Sequence, residues 1–261
     1  KNMMLQVKSY KTLVLAALLI GAAGKLFASG LFSISTTGQV RFADENLKVE
    51  EKEHFQWSEL NGASSVVPVG QRVLTHDEWL YLFESRTNAY SLYALAAVDS
   101  ENGLVILPDE DTWVLPDGLT FNYYNTEDGY SKNNYSAAEW SRMAEAGAIF
   151  LPCRGYLSDG TTIEDEAIHG SYWTSSVYAE NDPYCIQFDD SYFYAETHNS
   201  AAGSAYRSVR TVTDVAEPTP TDIDNTQRDN VQCSKVIQNG QLYLMYEGTM
   251  IDVRGNKFIV K

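Results

Sequence analysis

The chain has 261 residues, enough to bury a sizeable core, and its length predicts one main domain with smaller attachments. Its 19 basic and 35 acidic residues give a formal net charge of −16, which argues against nucleic acid and anionic membrane surfaces as partners, because both need a basic footprint. Among its three cysteines there is no CxxC, and the four histidines (His54, His76, His169, His198) show no metal-binding spacing such as HExxH.

In chain order, the first feature is a secretory signal pattern. Lys1, Lys8 and Lys11 precede an apolar stretch from Leu13 to Ala23, which is too short to span a bilayer comfortably and is followed by small residues. Cleavage is expected after Ala28, with Gly24 as the alternative; a buried N-terminal helix is the competing reading. Removing residues 1–28 takes away four Lys and no acids, leaving 15 basic against 35 acidic residues and a net charge near −20. The expectation is an exported chain, in the periplasm, on the outer surface or secreted, with no membrane insertion after cleavage.

Leu31 to Thr36 and Gln39 to Ala43 read as a hairpin turning at Thr37-Gly38, with Val40 and Phe42 alternating toward a core. Residues 44–70 are polar and irregular, with Trp57 as an anchor. Two helix starts follow one recipe. Thr75 with Glu78, and Ser136 with Glu139, are capping boxes in which the hydroxyl and the carboxylate each satisfy one backbone N–H of the first turn. Leu74 before Trp79, and Tyr135 before Trp140, are the matching hydrophobic staples. The first helix is expected over His76 to Arg86, with Trp79, Leu82, Phe83 and Arg86 on one stripe. The second is expected over Ala137 to Ala146, ended by Gly147. The spacing assigns Trp79, Trp140 and Trp173 to the core.

Leu104 to Leu107, stopped by Pro108, and Ala148 to Pro152 read as short buried strands, with long loops over residues 108–134 and 153–170. Further strands are expected at Ser171 to Val177, Tyr184 to Asp189 and Tyr206 to Thr213, with Tyr192 to Glu196 pairing across an Asp189-Asp190-Ser191 turn. Pro218-Thr219-Pro220 marks an extended spacer. The expected organisation is a signal over 1–28, a domain over 29–213, a linker over 214–234 and a small β-meander over 235–261. The fold class is α+β: two helices flanking short, mostly antiparallel sheets with long loops.

The order of motifs resembles the Fibrobacter-type major paralogous domain of exported proteins from Gram-negative anaerobes. The resemblance spans residues 31–213. It is carried by the T-x-x-E-W helix, Leu107-Pro108-Asp109, Trp113, Leu115 to Phe121, Ala146 to Pro152, Arg154-Gly155-Tyr156, Gly160-Thr161, Gly170 to Ser176 and Arg207-Ser208-Val209-Arg210. It implies a fold similar to that of C-type lectins and of the formylglycine-generating enzyme, with function carried by loops. The tail resembles short β-rich blocks that act as export or attachment signals.

Cysteine-oxidising chemistry of the formylglycine type would need a reactive thiol pair, and Cys153 and Cys185 are the candidates inside the domain, although neither lies in that family's catalytic motif. A structural Cys153–Cys185 disulfide, plausible in an exported protein, or two separate buried thiols is the reading preferred over catalysis. No cofactor is expected. The acidic runs Asp109-Glu110-Asp111, Glu164-Asp165-Glu166 and Asp189-Asp190 hold calcium-type ligands, but the sugar-binding motifs Glu-Pro-Asn and Trp-Asn-Asp are absent. No G-x-S-x-G elbow occurs, and no spacing singles out a carboxylate pair. Seventeen of the 32 aromatics fall between Phe121 and Tyr206. Tyr123, Tyr124, Tyr130, Tyr178, Tyr192 and Tyr194 sit in or beside polar loops, where tyrosine gives contact area at low entropic cost. These are the expected contacts of a non-catalytic binding or surface-interaction module for a protein or a glycan. An enzyme of the formylglycine type or a divergent hydrolase, and a structural envelope component, are the alternatives.

Overall fold

The computed structural model describes residues 30–123, 129–180, 182–191, 193–198 and 204–215, and in the tail 233–238, 241–246, 249–252 and 257–259; for 193–198 and the tail the description is of the backbone. The signal pattern at 1–28 and the spacer at 216–232 lie outside it. The chain divides into two units, Lys1–Val215 and Ala216–Lys261.

The described part of the first unit is α+β, with two α-helices and four small sheets. One sheet runs β1 (Phe32–Ser33), β2 (Gln39–Phe42), β15 (Thr211–Asp214), β4 (Arg72–Val73). The N-terminal hairpin forms as its alternation dictates: Phe32 faces Val40 in register, and Val40 and Phe42 are fully buried. A second sheet runs β7 (Asn134–Tyr135), β5 (Tyr93–Val98), β6 (Glu101–Ile106), β8 (Ile149–Pro152), antiparallel except for the β5–β7 pair. A third runs β10 (Ile163–Glu164), β9 (Tyr156–Leu157), β14 (Tyr206–Arg207), β3 (Phe55–Gln56). The fourth is the meander β11 (Gly170–Ala179), β12 (Asp182–Phe188), β13 (Phe193–His198).

Both capping boxes are formed. Thr75 Oγ1 accepts from the Glu78 N–H at 3.2 Å, and Glu78 Oε2 accepts from the Thr75 N–H at 2.7 Å. Ser136 Oγ accepts from the Glu139 N–H at 3.4 Å, and Glu139 Oε2 accepts from the Ser136 N–H at 2.9 Å. Helix α1 is shorter than its periodicity suggests. It is α-helical over His76–Leu80 and then widens to a π-helical turn over Tyr81–Ser85, closed by the Arg86 N–H on Tyr81 O at 2.9 Å. The wider turn accompanies the inward rotation of Arg86, whose Nε donates to Leu82 O at 2.8 Å. Helix α2 covers Ala137–Glu145, and Gly147, at φ 109°, takes the backbone past it. A Cβ at Gly147 would stand 2.6 Å from the backbone of Gly30, so the position requires glycine twice over.

Strand β5 has no counterpart in the sequence reading. Tyr93–Val98 is buried on both faces and Ala-rich, so it lacks the alternation of a half-buried strand. Its turn to β6 is made by Asp99 and Ser100, at φ 48° and 72°, without a glycine. The Tyr206 to Thr213 run is two strands in two sheets, β14 and β15, not one.

The largest core cluster gathers Phe32, Phe42, Trp79, Phe83 and Tyr172 with aliphatic neighbours. Trp79 stacks on Phe83 at 5.5 Å, which is what the stripe of α1 buries. A second cluster surrounds Phe55 and Trp173, and a third lies between Tyr135, Met143 and the β5–β6 face.

The second unit is a four-stranded antiparallel meander, β16 (Cys233–Gln238), β17 (Gln241–Tyr246), β18 (Thr249–Asp252), β19 (Lys257–Ile259). It begins two residues before the expected boundary at 235, so Cys233 belongs to its first strand and not to the linker.

Candidate functional site

The six tyrosines expected to form a binding surface do not assemble into one. Tyr130 is buried, 7 % exposed, and works as an internal strut: its hydroxyl donates to Ile168 O at 2.7 Å and lies 3.1 Å from Cys153 Sγ. Burial pushes its phenol well above the ordinary value. Tyr123 and Tyr178 are exposed at 59 % and 60 %. Tyr178 stands near the Ala179↔Asp182 end of the β11–β12 hairpin, edge-on to Tyr184, which stacks on His76. Asp189 follows the opposite end, where Gly170 pairs with Phe188, and strand rise separates the two ends by roughly 25 Å. The loops at 122–134 and 157–170 therefore meet through Tyr130, whereas the 178–183 tip does not join them. Tyr124 and Tyr192 lie outside the described residues, and of Tyr194 only the backbone, in β13, is described.

Of the two structural readings of the cysteines, the structure has the separate buried thiols and not the disulfide. Cys153 and Cys185 are both free and buried, and they belong to different core clusters. Each side chain packs among apolar neighbours, which pushes the Cys153 thiol up to about 12 and raises that of Cys185. One residue of each acidic run is engaged elsewhere. Asp109 pairs with Arg86, Glu164 accepts from the Ser158 hydroxyl, and Asp189 Oδ1 accepts from the Ser191 N–H and hydroxyl at 2.8 Å each. Among the described residues, no three of His, Cys, Asp and Glu converge as metal ligands.

One large concavity was not marked by the sequence. It is a cleft of about 1020 Å³ between the loop after β2, the β5–β6 turn, the outer face of α2 and strand β8. Its base is Arg210, fully sequestered. The guanidinium donates to Ala43 O and Asp44 O at 2.8 Å each, Phe150 O at 2.6 Å and Asn46 Oδ1 at 3.1 Å. Burial lowers it to about 10, still charged at neutral pH. It fastens the Ala43–Asn46 segment to β8 and so holds the cleft open at a fixed width.

Six carboxylates line this cleft: Asp44, Glu45, Glu53, Asp99, Glu101 and Glu145. Against them stand Lys48, Arg154 and Arg210, so the cleft carries an acidic surplus. Lys48 Nζ bonds Glu53 at 3.0 Å and holds that carboxyl below its ordinary range. Burial raises the Glu101 carboxyl, with Arg154 opposing from 2.9 Å. Trp140 and Phe150 form the apolar part, with rings 5.7 Å apart at 59°. Trp140 is half-buried, not core as its spacing suggests: Met143, one turn on, takes the fully buried place, and Trp140 lies between it and the cleft. Its indole N–H donates to none of the described residues.

Arg210 was legible as part of the Arg207 to Arg210 motif but not as a cleft base. The available signal was a pair of arginines in an otherwise apolar, strand-like run, which only internal acceptors or stacking can satisfy. Comparison with known proteins adds no relative: no family model, curated protein or solved structure matches this chain.

Proposed function

We propose that the chain is an exported, non-catalytic binding module that takes a neutral glycan in the cleft beside Trp140. The observation that carries this reading is a half-buried tryptophan with an unused N–H on the wall of a cleft of about 1020 Å³ that six carboxylates also line. A sugar ring offers C–H faces to an aromatic ring and hydroxyl donors to carboxylates, and a cleft with a small apolar part and convergent polar groups suits it. The acidic surplus disfavours anionic glycans and polynucleotides. Two capped helices among small antiparallel sheets also support C-type-lectin-like architecture and kinship with the major paralogous domains. The basic, then apolar, then small-residue N-terminus supports export, and the tail meander is read as a docking piece.

The test is retention of the full chain on an array of neutral and acidic glycans, followed by calorimetry with the best neutral ligand. Trp140→Ala should weaken binding at least about tenfold, or 1.4 kcal/mol, with an unchanged circular dichroism spectrum. Retention of acidic glycans alone, or full affinity in the Trp140→Ala variant, counts against the proposal.

One observation favours a hydrolase as the second reading. Glu53 and Glu101 share the cleft with their carboxyls pushed in opposite directions, as an acid and a base would be. Slow cleavage of the bound glycan, lost in Glu101→Gln while binding persists, would replace the non-catalytic reading with this one. For formylglycine-type chemistry, two separately buried thiols with raised pKa give no support.

A further inference from the structure

Arg207 lies in β14, on the opposite side of the Ser208-Val209 pair from Arg210, and it is 2 % exposed. Its guanidinium carbon sits 5.2 Å from the Tyr156 ring centroid and 5.0 Å from that of Trp173. Nη1 donates to the Ser171 hydroxyl. Nε is sealed in without a partner, and among the described residues Nη2 donates to nothing and no carboxylate comes within ion-pair distance. Three other arginines differ. Arg86 faces Asp109, Arg72 grips Glu78 and Asp214, and Arg210 is surrounded by oxygen acceptors. Stacking on two rings fixes the plane of Arg207 but leaves Nε and Nη2 unused and its charge unpaired, and a buried cation in that state calls for an anion.

Arg207 also forms a wall of a separate cavity of about 420 Å³, with Tyr156, Asp165, His169, Gln187 and Asp189 around it. That volume is at the small end of the roughly 300–1,000 Å³ usual for ligand pockets. With Nη1 on Ser171 and Nε sealed, Nη2 is the donor left for a carboxylate in this cavity. The two aspartates oppose a dianion such as phosphate and favour a ligand whose other end is cationic. Asp165 is exposed, and its carboxylate has no hydrogen bond among the described residues, so it is available to an ammonium group.

We propose that this cavity is a binding site for a small zwitterion of the α-amino-acid type, its carboxylate on Arg207 and its ammonium toward Asp165 and Asp189. The site is distinct from the Trp140 cleft and does not depend on the glycan reading.

The test is calorimetry of the full chain against the common free α-amino acids, their N-acetyl and amide derivatives, and inorganic phosphate, each at about 10 mM. At least one free amino acid should bind, and capping either end should weaken it about tenfold or more. Asp165→Asn, at an exposed position, should weaken binding with the fold intact, and Arg207→Gln should abolish it. If Arg207→Gln fails to fold, the capped ligands and Asp165→Asn decide. Trp140→Ala should leave amino-acid binding unchanged, so this proposal and the glycan proposal fail separately. The proposal is overturned if no free amino acid binds, if the amide binds as well as the acid, if phosphate is preferred, or if Trp140→Ala removes the binding.

Discussion

The Arg86 guanidinium and the Asp109 carboxylate lie 3.3 Å apart, with 1 % and 13 % of their side chains exposed. The pair joins segments that are distant in the chain. Arg86 also donates to Leu107 O at 3.0 Å, and Asp109 accepts from the Ser33 N–H at 2.9 Å, the Ser33 hydroxyl at 2.8 Å and Gln39 Nε2 at 3.0 Å. It therefore pins the N-terminal hairpin to the end of α1 and to the exit of β6. The first residue of the acidic run that resembles a calcium loop is spent on this junction.

Asp109→Ala should destabilise the domain by about 3–5 kcal/mol, because it leaves Arg86 charged, buried and uncompensated. Burial already lowers the Arg86 guanidinium to about 10, and Asp109 is the group that opposes this. Urea unfolding followed by tryptophan fluorescence measures the loss. A change below about 1 kcal/mol would mean that the pair is not the junction described here.

Stability should fall on mild acidification. Burial lowers His54 and His169 below their ordinary value of 6.5, with Arg207 adding to the effect at His169. The unfolded chain then binds protons before the folded one does. The contribution of these residues is fully present above about 6.5 and is lost as pH falls through the lowered folded values. Urea midpoints measured between about pH 7.5 and 5.5 should decline, and the double variant His54→Gln, His169→Gln should flatten that decline.

The two capping boxes should not be equivalent. Glu78 serves Thr75 and also accepts from Arg72 Nη1 and Nη2 at 2.7 Å each, and Arg72 in turn bonds Asp214. Glu139 serves only Ser136 at an exposed helix start. Thr75→Ala should cost about 1 kcal/mol. Glu78→Gln should lower the melting temperature more than Glu139→Gln does, because it also weakens the bridge from the start of α1 to Arg72 of β4. Equal shifts would show that the Arg72 bridge contributes nothing.

Cys153 and Cys185 should resist maleimide in the native protein and react once urea unfolds it, as read by peptide mapping. Their burial and raised pKa values suppress the thiolate that reacts. Fast native labelling of either would contradict their placement in two core clusters.

Local chemistry made much of the fold legible. A hydroxyl with a glutamate three residues on defines a helix start from a few neighbouring residues, so Thr75 and Ser136 needed no tertiary information. The Phe32–Phe42 hairpin was legible from alternation around a turn. Strand β5 was not, because burial on both faces removes alternation and its turn uses Asp99 and Ser100 in left-handed geometry without glycine. The tyrosines misled for a related reason. A residue in a polar stretch of sequence, such as Tyr130, is still buried when a distant loop folds over it and supplies a carbonyl.

The amino-acid order by itself determined where both helices start and where the N-terminal hairpin turns, because capping, alternation and glycine placement act within a few residues. Only the tertiary structure decided which segments leave a hollow between them. The Trp140 cleft and the Arg207 cavity are each assembled from residues far apart in the chain, and the charge balance of each depends on which carboxylates and carbonyls arrive beside its arginine. Local pattern carries no record of those distances, so both sites became visible only when the chain closed.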